Sequence, residues 1–184
     1  MSRLRGSRVY LCGPIDNASD YGQGWRNDLK PFLKEQGIIY IDPCDKPIQD
    51  RYKEGPDFIK LRRQYKEKGD YEALSKMMKK VRIFDLRCVD VSDFLIVYLD
   101  LSVILCGTLE EVFCANKQKK PILIMCPQKR INVPDWIFGT INYRHIYDDW
   151  KSLKDYIEYV NTNEEEPEHF KRWTFFQYDK LISS

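Results

Sequence analysis

An apolar run, Asp93-Phe-Leu-Ile-Val-Tyr-Leu-Asp100, ends on a carboxylate, and Gly107-Thr-Leu-Glu-Glu111 follows with two more acids. The first segment has the make-up of a buried strand, and the second opens a helix. A pair of acids delivered to one edge of a sheet is what glycosyl-bond chemistry uses, one acting on the sugar and one on the proton of the leaving group. The chain begins in the same manner. Arg8-Val-Tyr-Leu-Cys-Gly-Pro-Ile-Asp16 reads as strand, tight turn and acid, and Tyr10 adds a hydroxyl.

These residues need elements to hold them. Val9–Cys12 predicts a first strand. Gly24–Gln36 predicts a helix with Trp25, Leu29, Phe32 and Leu33 on one face and Gly37 as its stop. Pro31 marks either a kink in it or a later start. Ile38–Ile41 predicts the second strand, closed by Asp42-Pro43, and Cys44–Pro56 reads as a loop. Asp57–Val81 has helical spacing broken at Gly69-Asp70, and Ile83–Ser92 continues as a short helix into a third strand, Phe94–Leu99. A helix over Thr108–Asn116, a fourth strand over Pro121–Cys126, a helical turn over Val133–Phe138, a short strand at His145–Tyr147 and a helix over Trp150–Val160 follow. The tail carries an acidic linker, Glu164–Glu168, then Trp173, Phe175, Phe176 and Tyr178. Strands alternating with helices predict an α/β fold. The expectation is a single Rossmann-like domain over 1–184, with about five parallel strands in the flavodoxin-like order, flanked by helices. A helical insertion is expected at about 44–92 and a tail at about 162–184.

In open α/β sheets, ligands bind beyond the carboxyl ends of the strands. That rule selects Gly13, Pro14, Ile15 and Asp16 after the first strand, Asp42 after the second, Asp100 after the third, and Glu110 and Glu111 on the following helix. Each acid also has a structural reading. Thr108-Leu-Glu-Glu111 matches a capping box with Thr108 as N-cap and Glu111 at N3, Asp16 suits an Asx turn, and Asp100 simply ends a strand. Their joint placement is what points to a site. The phosphate-binding and hydrolase signatures are missing: Gly22-Gln-Gly24 is no dinucleotide fingerprint, and neither a Walker A run nor a G-x-S-x-G elbow occurs. Cys12 lacks an activating histidine and reads as core.

The 184 residues are 43% hydrophobic and carry a formal charge of +2, which predicts no strong attraction to a nucleic acid polymer or an anionic membrane. The cationic stretch Arg62, Arg63, Lys66, Lys68, Lys76, Lys79, Lys80 and Arg82 is interspersed with acids and reads as a solvated face. Six cysteines without Cys-x-x-Cys spacing, and two histidines, His145 and His169, predict no metal site. No apolar run is long enough to span a bilayer. Reduced thiols and no leader make a cytoplasmic location the expectation.

The residues resemble the nucleoside 2-deoxyribosyltransferase superfamily, which includes related deoxynucleotide N-glycoside hydrolases. The resemblance is carried by Val9-Tyr-Leu-Cys-Gly-Pro-Ile-Asp16, Asp85-Leu86, Asp93–Asp100 and Gly107-Thr-Leu-Glu-Glu-Val-Phe-Cys-Ala115, leading to Lys120-Pro-Ile-Leu-Ile124. Gly-Pro-Ile-Asp16 followed by Gly24-Trp-Arg26 is similar to its transferase-like branch. It implies Glu111 as nucleophile with Glu110 in reserve, and Asp100 as an orienting or acid–base group. Asp85 is implied as a deoxyribose contact and Tyr10 as the hydroxyl that holds the nucleophile. Substrate contacts are implied for Gly13, Pro14, Ile15, Asp16 and Trp25, and for Asp42, Gly107 and Glu110.

The implied reaction is attack of the glutamate on C1′, a covalent deoxyribosyl-enzyme, and release to a second base or to water, with no cofactor. The implied partners are a deoxynucleoside or deoxynucleotide and a free nucleobase, in a homo-oligomer. Two features depart from the family. The Asp100–Glu111 gap is longer and holds Val103-Ile-Leu105, and Gly13-Pro14-Ile15 lacks the Ser and Arg of phosphate-handling hydrolases. The second departure favours a nucleoside, although Arg26, Arg82 and Arg87 remain available to a phosphate. A monophosphate hydrolase, an NAD-cleaving enzyme and a non-catalytic nucleotide-binding module stay open as alternatives.

Overall fold

Alternation along the first strand sets up the whole architecture. In β1 (Arg8–Cys12), Val9 and Leu11 point to one face of the sheet, Tyr10 and Cys12 to the other, and all four are fully buried. A strand buried on both faces belongs inside a parallel sheet covered by helices on each side. The computed structural model describes residues 2–16, 18–46, 56–163 and 172–173. It contains one parallel sheet of β1, β2 (Ile39–Ile41), β3 (Phe94–Tyr98), β4 (Ile122–Met125) and β5 (Ile146–Tyr147), in the order β2-β1-β3-β4-β5. This is the flavodoxin-like order expected from the sequence. The winding reverses between β1 and β3, whose register pairs Val9 with Phe94 and Cys12 with Val97.

Two helices cover the Val9 face. α1 (Gln23–Glu35) buries Trp25, Leu29, Phe32 and Leu33, and α6 (Trp150–Thr162) buries Leu153, Ile157 and Val160. Trp173 packs here too, its ring 5.1 Å from Phe94 and its indole N–H donating to the Tyr156 hydroxyl at 3.2 Å. α1 starts at Gln23, ahead of Pro31, which lies exposed inside the helix and so costs one backbone donor without a clash in the core.

The Tyr10 face is covered by α3 (Tyr71–Val91), α4 (Cys106–Lys117) and α5 (Asp135–Thr140). α3 absorbs the whole stretch read as two pieces in the sequence, because nothing between Val81 and Ile83 interrupts its apolar stripe. α2 (Pro56–Glu67) precedes it, and the break at Gly69 comes from a left-handed φ of 69° followed by Asp70, whose carboxylate caps α3 at Ala73 N–H.

One expectation is overturned. α4 starts at Cys106, with Leu105 in the N-cap position and no side-chain cap. Thr108 is therefore inside the first turn, and Glu111 is not the partner of a capping box. Its carboxylate turns inward instead. Residues 47–55, the Glu164–Glu168 linker, Phe175, Phe176 and Tyr178 lie outside the described residues.

Candidate active site

Glu111 sits on the second turn of α4, 9% exposed, facing the sheet. Opposite it, period-two spacing brings Tyr10 and Cys12 of β1 to the same face. The Tyr10 hydroxyl donates to Glu111 Oε1 at 2.8 Å, and the Cys12 thiol lies 2.9 Å from Oε2. Each carboxylate oxygen thus has its own donor. Burial, and next the negative charges of Glu111 and Asp85, push the Tyr10 phenol well above its ordinary range. Burial and Glu111 do the same to the Cys12 thiol. Both keep their protons at neutral pH and present them to Glu111.

A cavity of about 370 Å³ opens in front of this carboxylate. The loop after β1 forms one wall with Gly13, Pro14, Ile15 and Asp16, and the start of α4 forms another with Gly107, Glu110 and Glu111. Met78, Val81, Arg82, Asp85 and Leu86 of α3 close the third side, a stripe at helical spacing. Ile104, 81% exposed, stands at the edge. Asp85 is paired with Lys46, Nζ to Oδ1 at 2.6 Å. Arg82 grips Glu110, with Nε donating to both carboxylate oxygens at 2.9 Å. That grip holds Glu110 below the usual carboxylate range. Arg62 of α2 reaches Asp16 with both terminal nitrogens, one of them at 2.7 Å. Arg62 and Arg82 were read as part of a solvated cationic face; the structure turns both toward this rim.

Gly13 has a steric reason to be glycine. A Cβ there would lie 3.0 Å from the Trp25 ring and 3.2 Å from the Tyr98 backbone oxygen. Arg26, with no exposed surface, ties the loop down by donating to the Leu11, Gly22 and Gly13 carbonyls and facing Asp42 at 3.6 Å. Fully buried and outside the lining of this cavity, that guanidinium is not presented to a phosphate there.

Three expected site residues are placed elsewhere. Asp42 caps the 3-10 turn Pro43–Asp45 through Cys44 N–H at 2.8 Å and pairs with Lys30 at 2.6 Å, outside both described cavities at the rim. Asp100 and Trp25 line a neighbouring cavity of about 420 Å³ with Asp20, Tyr98 and Ser102. Pro14 is shared between the two. Burial raises the Asp100 carboxyl, but donors from Ser102 and Gln128 outweigh it and hold the group low. The Trp25 ring lies 5.5 Å from those of Tyr98 and Trp150, which are 6.1 Å from each other, so the three rings form one cluster. Cys12, Met78 and Ile104 were not read as site residues. Of the α3 stripe, Met78 shows in the sequence only as an apolar position at helical spacing.

The same architecture occurs among solved structures. A 2-deoxyribosyltransferase from Bacillus psychrosaccharolyticus superposes with a TM-score of 0.55 at 14% identity, over 82% of this chain and 92% of that one. The chain shares its fold. A conserved protein from Enterococcus faecalis V583 superposes at 0.56 with 16% identity, covering 84% and 98% of the two chains. A Clostridium botulinum CMP N-glycosidase aligns at 0.46 with 19% identity, over 83% and 99%. No protein-family model and no curated protein matches the chain.

Proposed function

We propose that the chain cleaves and transfers the N-glycosidic bond of 2-deoxyribonucleosides, with Glu111 as the nucleophile. The observation that carries this reading is a single buried carboxylate at the back of a nucleoside-sized cavity, held through both oxygens by Tyr10 and Cys12. A carboxylate oriented this way attacks C1′ from the side opposite the base and forms a glycosyl ester. Proton delivery to the leaving base falls to a water in the cavity, while Asp85, ion-paired with Lys46, is available to accept from a sugar hydroxyl. Asp16 and Glu110 are positioned for sugar hydroxyls, while Gly13, Pro14, Ile15 and Gly107 supply the backbone wall. Asp100 and Trp25, in the adjoining cavity, are suited to the base side. The deoxyribosyltransferase with this fold is in keeping with the reading.

Arg82 favours the nucleoside over its 5′-monophosphate. It is the cation that lines the Glu111 cavity among the described residues, and Glu110 already neutralises it. A phosphate would have to displace that partner. Chromatography of a panel of deoxynucleosides and their monophosphates, each with and without a second free base, tests the proposal alongside Glu111→Ala. A new nucleoside that needs the acceptor and disappears in the variant is the expected result. Free base without acceptor would make the chain a hydrolase. Binding without any product would make it a nucleotide-binding module.

A further inference from the structure

Cys12 looks from sequence like an ordinary core residue, and a core cysteine needs only apolar neighbours. Here its sulfur lies 2.9 Å from Glu111 Oε2, while the next acceptor, the Thr108 carbonyl, is 3.7 Å away. The side chain has no exposed surface, so no solvent competes for the thiol proton. Tyr10 occupies the other carboxylate oxygen. We propose that Cys12 is a positioning residue: its S–H fixes the second oxygen of Glu111 and stabilises the carboxylate that re-forms when the sugar departs. This rests on the glycosyl-transfer reading above.

The two half-reactions use the thiol differently. In the first, a Glu111 oxygen gives an electron pair to C1′ while the C1′–N bond breaks, its pair leaves with the base, and that base takes a proton from a water in the cavity. In the second, a nitrogen of the incoming base bonds to C1′ and gives its proton to water, the C1′–O ester bond breaks, and that pair returns to Glu111. A donor on the carboxylate stabilises the anion that is the leaving group of the second step, because hydrogen bonds to ionised acceptors are the stronger ones. The thiol keeps its proton throughout and forms no covalent bond.

Infrared spectroscopy reads the contact without turnover, since the S–H stretch lies apart from other protein bands. Subtracting the spectrum of Cys12→Ala isolates the Cys12 band. The expected band sits at low frequency and moves up in Glu111→Gln, where the acceptor is uncharged. A band that ignores the Glu111 substitution overturns the proposal. Rapid-quench measurement of glycosyl-enzyme breakdown supplies the second test. Breakdown should slow roughly tenfold or more in Cys12→Ala, the effect of losing a donor to a charged group. Cys12→Ser, which restores a donor, should recover most of it. Wild-type breakdown in Cys12→Ala, or no recovery in Cys12→Ser, overturns the proposal. If Cys12→Ala does not fold, Cys12→Ser, which also lacks the S–H, replaces it as the reference spectrum, and the dependence of the Cys12 band on Glu111 decides. If the wild type forms no ester with any substrate, the functional reading fails, and the infrared comparison alone still settles whether the thiol holds Glu111.

Discussion

At Glu111 the two carboxylate oxygens are held by side chains two residues apart on one strand, so each donor can be removed without moving the other. Tyr10→Phe deletes the hydroxyl and little else. The variant should fold, and kcat/KM for the best nucleoside should fall by about 10–100-fold, the range for losing a hydrogen bond of ~1.5–3 kcal/mol to a charged group. Steady-state kinetics beside a circular dichroism melt would check this, and an unchanged rate with an unchanged melt would show that Glu111 does not need the phenol. Glu111 and Tyr10 were legible in the sequence because an acid after a buried strand and a hydroxyl inside one stand out. Cys12 was not, since nothing in an apolar pentapeptide separates a core thiol from one aimed at a carboxylate. Asp42 misled for the opposite reason. It does end a strand, but Lys30 and Arg26, both distant in sequence from it, claim its charge.

Among the elements, the turn from β1 to α1 depends on Arg26. Removing it would leave three carbonyls without their buried donor and take one cation away from Asp42. Arg26→Met should therefore destabilise the fold by about 3–5 kcal/mol, read as a lower midpoint in urea. Arg26→Lys should rescue only part of that, because an ammonium cannot reproduce the fork that serves several carbonyls at once. The start of α4 shows the limit of reading caps from sequence. It opens on Leu105 as N-cap, followed by Cys106 and Gly107, none of which carries a capping hydroxyl or carboxylate, so the search for Ser, Thr or Asp lands on Thr108, already inside the first turn. The start of α3 was easier, because Gly69-Asp70 combines a left-handed glycine with a capping carboxylate.

Across the whole molecule, the alternation of strands and helices was enough to give the sheet order, since apolar runs of strand length joined by amphipathic helices have few right-handed windings available. The same burial that makes the sheet legible has a cost in alkali. Burial pushes the Cys88 thiol up to about 11, and lifts Cys12, Cys126 and Tyr10 above their ordinary values as well. In the unfolded chain these groups lose their protons first, so the folded state binds more protons and stability falls as pH rises. It is at its full value below the ordinary thiol range and drops from about pH 9 toward about 11. Thermal melts across that interval should show a falling midpoint, with a shallower fall in Cys88→Ala. A flat midpoint would mean that these thiols ionise within the native structure.

The reversal of winding between β1 and β3 has a further consequence. The chain leaves β1 toward one side of the sheet and β3 toward the other, so a crevice opens at their ends through topology alone. Its presence does not depend on which side chains line it. A lineage carrying this scaffold can therefore exchange one rim residue after another, and trial new substrates, while the buried strands that secure its folding stay under no pressure to change.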